Sequence, residues 1–242
     1  MNDFNNDYFC VLPFFGYEYY EEVGGSHCCL LPSGYNIDEI RQDMLNGKRS
    51  KWCTACWNIE DKGFQSDRLL KNAAMDFYAD RDIRFIEQDV KQGKYSEVLV
   101  KISSSNLCNA TCTTCNSASS SAWGALARHN GGEKTSYTKI SESRLNNIDF
   151  PNLVTLNLLA GEPLLEPITF DILEKLLESG NTECFVSITT NGSIVLSKQK
   201  LDMLKKIKKL NINVSIDGIG PVFEYLRYPL SWKEVQENIA VF

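Results

Sequence analysis

The sequence predicts an α/β fold of parallel strand–helix units over residues 96–242, preceded by a small α+β unit over residues 1–95. Three observations predict it. From Glu97 onward, strand-like and helix-like segments alternate four times; the cysteines fall into two sets, one on each side of that point; and each strand ends on a short polar or glycine-bearing motif. Such alternation implies parallel pairing with right-handed crossovers. In folds of this kind, functional groups gather where strands end and loops begin.

In the first unit, Cys10 precedes Phe14-Phe15-Gly16-Tyr17-Glu18-Tyr19-Tyr20, whose partial alternation predicts a strand. Gly24-Gly25 then predicts a hairpin turn, with His27-Cys28-Cys29 on the returning strand. Ile37, Ile40, Met44 and Leu45 stand at helical spacing, and Asn46-Gly47 ends that helix. Trp52-Cys53-Thr54-Ala55-Cys56-Trp57 is a C-x2-C knuckle, and residues 60–68 lead into a helix near 68–79. Cys10, Cys28 or Cys29, Cys53 and Cys56 are the number a closed metal site needs. By spacing alone they fit either a structural zinc or an iron–sulfur cluster. Adjacent strand residues face opposite ways, so one of Cys28 and Cys29 should face the metal.

In the second unit, strands are expected at 97–103, 153–159, 184–190 and 211–216, and helices at 117–128, 166–179, 197–208 and 231–242. Residues 130–151 read as an insertion with a short helix near 142–147. The first strand delivers Cys108-Asn109-Ala110-Thr111-Cys112-Thr113-Thr114-Cys115, a C-x3-C-x2-C loop. Three thiolates on one loop can hold three corners of an iron–sulfur cubane and leave the fourth iron without a protein ligand. A zinc site would need a fourth donor. His129, the only histidine downstream, lies about 20 Å away along a helix rising ~1.5 Å per residue. The other strands end on Ala160-Gly161-Glu162-Pro163, on Thr189-Thr190-Asn191-Gly192, and on Asn213-Val214-Ser215-Ile216-Asp217-Gly218. In the last, the period of two puts Asn213, Ser215 and Asp217 on one face and Val214 and Ile216 on the other. Gly161 allows a close approach to the backbone, and Pro163 stiffens the exit. Cys184 reads as a small buried side chain.

A formal charge of -6 argues against a general nucleic-acid-binding surface. Lys205, Lys206, Lys208 and Lys209 read as the solvated face of a helix. No apolar run reaches membrane-spanning length. Residues 1–7 are acidic and polar, so no signal peptide is expected. Nine cysteines in that setting point to metal binding in a reducing compartment, with the cytoplasm as the expected address.

The cysteine loop, the Gly161-Glu162-Pro163 strand end, Thr190-Asn191-Gly192 and the Ser215-x-Asp217-Gly218 strand together resemble the radical S-adenosylmethionine (SAM) superfamily. The resemblance implies a [4Fe–4S] cluster on Cys108, Cys112 and Cys115, and SAM chelated to its open iron. Electron transfer to SAM would then produce a 5′-deoxyadenosyl radical that abstracts hydrogen from a peptide, protein or small-molecule substrate. It further implies that Gly161, Glu162, Pro163, Thr190, Asn191, Ser215 and Asp217 lie beside SAM and that Arg227 pairs with its carboxylate. A one-electron reductant such as flavodoxin or ferredoxin would be a partner. The sequence departs from the family where Thr114 stands in place of a bulky residue and Ala160 in place of a glycine.

The order of Cys10, hairpin glycines, Cys28-Cys29, helix, Trp52-Cys53-x2-Cys56 and then Glu60, Gly63, Ser66 and Arg68 resembles the twitch domain, the short form of the SPASM domain. That implies an auxiliary iron–sulfur cluster on Cys10, Cys28, Cys53 and Cys56. Four of six barrel units are counted, so the core is expected to be C-terminally incomplete. A non-catalytic iron–sulfur electron carrier or scaffold is the alternative.

Overall fold

A computed structural model describes residues 7–20, 24–79, 83–132 and 138–241. Most of the acidic N-terminal stretch, part of the 130–151 insertion and the last residue of the expected final helix lie outside them. The chain divides into two compact units, Met1–Glu18 with Gly25–Val100, and Tyr19–Gly24 with Lys101–Phe242.

In the first unit, the aromatic run makes a single helical turn, α1 (Leu12–Phe15), before strand β1 (Gly16–Tyr19), where one longer strand was expected. Pro13 starts the turn, and burial of Phe14 and Phe15 side by side holds it. The expected returning strand reduces to one antiparallel bridge between Glu18 and Ser26; His27, Cys28 and Cys29 lie beyond it. Helix α2 (Ile37–Leu45) begins where Asn36 Oδ1 accepts the Asp38 and Glu39 N–H groups. It buries Ile40 and Met44, one turn apart, and gives way to Gly47 at φ +64°.

The C-x2-C knuckle is helical. A 3₁₀ turn (Lys51–Cys53) runs into α3 (Thr54–Glu60), which sets Cys53 and Cys56 one turn apart. Helices α4 (Asp67–Ala79) and α5 (Ile83–Lys91) follow. Phe9, Phe14, Ile40, Met44, Ile86 and Val90 form the core of this unit with Cys10.

Strand β2 (Leu99–Ser103) leads into the second unit. There follow α6 (Ser121–His129), α7 (Glu142–Leu145), β3 (Thr155–Leu159), α8 (Pro167–Glu178), β4 (Phe185–Thr190), α9 (Lys198–Leu204), β5 (Lys209–Val214), α10 (Pro221–Leu226) and α11 (Trp232–Ile239). Strands β3, β4 and β5 pair in parallel, with Leu158 opposite Ile188 and Thr190 opposite Val214. The strand ends that carry the motifs therefore lie level. Helix α8 buries Ile168, Phe170, Ile172, Leu173 and Leu176, each worth about 1.5–3 kcal/mol when fully removed from water.

The last strand begins and ends two residues earlier than expected. Helix α9 stops at Leu204, so Lys209 opens β5 and pairs with Glu183 at 2.9 Å; the lysines do not form one helical face. Ser215 and Asp217 consequently lie just past β5, and Ile216 is exposed. Helix α10, in a stretch to which the sequence reading assigned no element, starts on Pro221 straight after Gly220.

One polar cluster fixes the segment that carries Cys10. Arg68 donates to both Glu60 oxygens at 2.9 and 2.6 Å and, through its other terminal nitrogen, to the Phe9 carbonyl at 2.7 Å. Ser66 Oγ donates to the same Glu60 carboxylate. Asn72 brackets the segment, donating to Phe9 O and accepting from Val11 N–H, each at 2.9 Å. The Arg68 and Glu60 side chains are only 6% and 13% exposed.

Removing one partner of such a pair leaves a buried charge, so Arg68→Met should lower unfolding stability by about 3–5 kcal/mol. Burial pushes the Glu60 carboxyl up, but hydrogen bonds from Arg68 and Ser66 outweigh it, and its pKa lies below the ordinary value. A depressed folded pKa means that the pair's contribution is complete above the unfolded pKa and is lost as pH falls through the folded one. Chemical denaturation across the acid range should therefore show a shallower fall in stability for Glu60→Gln than for the parent protein.

Candidate metal centres

The loop after β2 is held in place by hydroxyls at the start of α6. Ser120 Oγ accepts the Trp123 N–H and donates to Ala110 O at 2.7 Å. Ser121 Oγ accepts from Cys108 N–H at 3.0 Å and donates back to Cys108 O at 3.1 Å. Trp123 Nε1 donates to Cys112 O at 2.8 Å. From the other side, the Thr111 and Thr113 N–H groups donate to Tyr228 O and Leu226 O at 2.7 and 2.8 Å. These bonds fix the backbone of the loop on which Cys108, Cys112 and Cys115 stand.

Burial raises the Cys108 and Cys112 thiols above the ordinary range, with a smaller upward push on each from Cys115; the Arg227 guanidinium opposes the rise at Cys112. Arg227 places a terminal nitrogen 3.9 Å from Cys112 Sγ and binds Asp217 at 2.9 Å. At 12% exposure it is not a surface ion pair. Its Nε is buried with no hydrogen-bond acceptor.

Gly161 is where β3 meets this loop. Its N–H donates to Ser105 O at 2.8 Å, and the next N–H, of Glu162, donates to Leu107 O at 2.6 Å. A Cβ at Gly161 would lie 2.5 Å from Leu107 O and 2.7 Å from Asn106 O. The close backbone approach that the glycine permits is thus made by the cysteine loop itself.

Glu162 is fully buried. Its Oε1 accepts from Thr190 Oγ1 at 2.6 Å and Leu164 N–H at 3.1 Å, and its Oε2 accepts from Asn191 N–H at 2.7 Å. Burial raises its pKa despite those bonds. Asn191 in turn donates to Asn109 of the cysteine loop at 2.9 Å. Pro163 is buried, and its carbonyl accepts the Glu166 N–H at 3.2 Å. Ser215 N–H continues the sheet by donating to Thr190 O at 2.9 Å. Gly161 also lines an open cleft of about 440 Å³ with Ser103, Ser104, Asn106, Ser119 and Thr138, at the ends of β2 and β3.

In the first unit, Cys10, Cys28, Cys53 and Cys56 line one small pocket, together with apolar side chains that include Leu12, Leu30 and Leu31. Cys29 is exposed and does not line it. Burial, with a smaller push from neighbouring thiols, raises Cys10 strongly, Cys28 to about 12 and Cys53 to about 11. Thiols so disfavoured as anions ionise on binding a metal, and release their protons as they do so. His27 is engaged elsewhere, with Nδ1 3.0 Å from Tyr35 Oη and Nε2 3.4 Å from an Arg41 nitrogen; burial first, then Arg41, lowers its pKa to about 4. Cys184 is buried at the start of β4, outside both sets.

Neither a protein-family model nor a curated protein matches the sequence. Among solved structures, Streptococcus suis SuiB bound to S-adenosylmethionine aligns at 16% identity and a TM-score of 0.39, over 64% of this chain and 32% of that one. SuiB bound to its precursor peptide SuiA gives 19% and 0.40, over 65% and 33%. SuiB alone gives 17% and 0.38, over 64% and 34%. The chain spans about a third of the length of these structures. TM-scores of this size leave the chemistry to the chain's own residues.

Several residues that shape the sites went unnoticed in the sequence. Ser120 and Ser121 carried a signal, since serine before an apolar helical run is an N-cap signature. Asn109 and Trp123 carried none, because their partners lie across loops.

Gly161→Ala forces backbone atoms apart, and overpacking of this kind costs about 1–3 kcal/mol. Urea unfolding should register that loss.

Proposed function

We propose that this chain is a radical SAM enzyme whose Cys108, Cys112 and Cys115 hold a [4Fe–4S] cluster, and whose Cys10, Cys28, Cys53 and Cys56 hold an auxiliary iron–sulfur cluster. The observation that carries the reading is three cysteines on one loop held by hydrogen bonds, with the Arg227 guanidinium beside Cys112 and its buried Nε without an acceptor. Three soft donors suit a cubane with one open iron. An orphaned cationic N–H suits an anionic group such as the SAM carboxylate. When bound, the reduced cluster supplies the electron that cleaves SAM to methionine and a 5′-deoxyadenosyl radical.

This chain's residues place and shield. Asp217 orients Arg227, while Phe223 and Leu230 cover the buried side of the loop with Cys112. Glu162 ties the ends of β3 and β4 together, which holds Gly161, Pro163, Thr190, Asn191 and Ser215 near one another. The four thiols of the other pocket, closed on all corners, suit electron transfer rather than SAM binding.

Anaerobic reconstitution should load two clusters. Changing Cys108, Cys112 and Cys115 to Ala should remove about four irons and leave the other signal intact. SAM should perturb the paramagnetic spectrum of the Cys108 cluster alone. Arg227→Ala should weaken SAM binding by about ten- to hundredfold, the scale of a lost charge-assisted hydrogen bond. A single cluster with one tightly bound zinc would remove the auxiliary-cluster assignment. Two clusters with no 5′-deoxyadenosine under strong reductant would favour an electron carrier.

A further inference from the structure

The N-terminal pocket holds more donors than a tetrahedral ion or a cubane can use. Asp67, the first residue of α4, lines it beside the four cysteines. A carboxylate oxygen of Asp67, Cys28 Sγ and Cys29 Sγ all lie within 4.8 Å of one another. Asp67 thus stands at the Cys28 corner, next to the one thiol of the group that lies outside the pocket.

Its charge has no local partner. The adjacent Arg68 directs its donors to Glu60 and to the Phe9 carbonyl. Among the described residues, the Asp67 carboxylate takes part in no hydrogen bond or ion pair. The surrounding wall includes apolar side chains such as Leu12 and Leu31. A half-buried carboxylate facing such a wall is costly unless a cation compensates it.

We propose that Asp67 is an oxygen ligand of the metal centre in this pocket, at the Cys28 corner, so that the centre has mixed thiolate and carboxylate ligation. This rests on the reading that the N-terminal cysteines bind a metal. Four protein donors complete either a tetrahedral ion or a cubane. With Asp67 among them, three thiolates complete the set, and Asp67 takes the place that the four-cysteine reading gives to Cys28.

The test uses the full chain with Co(II) as the probe, and then the iron-reconstituted protein. Asp67→Cys should turn three thiolates into four and raise the thiolate-to-cobalt absorption per metal by about a third. Asp67→Asn should weaken cobalt binding on the order of tenfold or more and alter the paramagnetic spectrum of the iron form. Asp67→Glu, which keeps the oxygen donor, should stay near the parent in both. Circular dichroism that matches the parent separates these effects from misfolding. A role confined to the start of α4 would change stability by about 0.3–1 kcal/mol and leave the spectra unmoved.

Cys53→Ala and Cys56→Ala divide the two ideas. If both still bind metal as tightly as the parent, the four-cysteine centre itself is wrong. If both lose metal while Asp67→Asn and Asp67→Cys match the parent in affinity and spectrum, Asp67 is not a ligand and the four-cysteine centre stands.

Discussion

The backbone junction at Gly161 governs the second unit. Two peptide groups of the cysteine loop lie against the end of β3 closely enough that any side chain there would strike carbonyl oxygens. From this junction the Glu162 carboxylate reaches Thr190 and Asn191, and Asn191 reaches back to Asn109. Three segments far apart in sequence are thereby held in one register, and the positions of the Cys108 loop and the strand ends are interdependent. Because a buried carboxylate without partners is costly, Glu162 remains in place only while both strand ends donate to it.

The first unit reaches the same end by different means. There Arg68 and Asn72 of α4 grip the backbone on either side of Cys10, while the 3₁₀-to-α transition at Cys53 sets two thiols on one helical face. In both units the loops that carry thiols are fixed by hydrogen bonds within the protein. Such preorganisation lowers the ordering cost that accompanies ligand binding.

Electrostatics separates the two cysteine sets. Burial keeps most of the thiols neutral in each. Beside Cys112, however, Arg227 supplies a positive charge with an N–H to spare, whereas beside the N-terminal set the nearest guanidinium is engaged by Glu60. The first arrangement suits an incoming anion; the second suits a centre closed by anionic side chains.

Local pattern carried much of this to the reader of the sequence. The alternation of strands and helices, the helix ending at Gly47 and the C-x3-C-x2-C spacing all express preferences within a few residues of one another, which is why they were legible. The shift of β5 was not, because Lys205–Lys209 satisfies a helical pattern as readily as a turn, and pairing with β4 settles it. The collapse of the expected hairpin to one bridge at Ser26, and the helical knuckle at Cys53, were decided likewise by packing. Gly161 was visible as a position of close approach, but what approaches it was not. Which cysteine of the Cys28-Cys29 pair lines the pocket, that Arg227 lies beside Cys112, and that Asp67 faces the N-terminal thiols depend on contacts between distant segments. The sequence by itself determined which chemistry-bearing residues exist and which elements carry them. The tertiary structure decided which of them meet, because burial and long-range hydrogen bonds act between residues whose separation along the chain carries no record of their proximity.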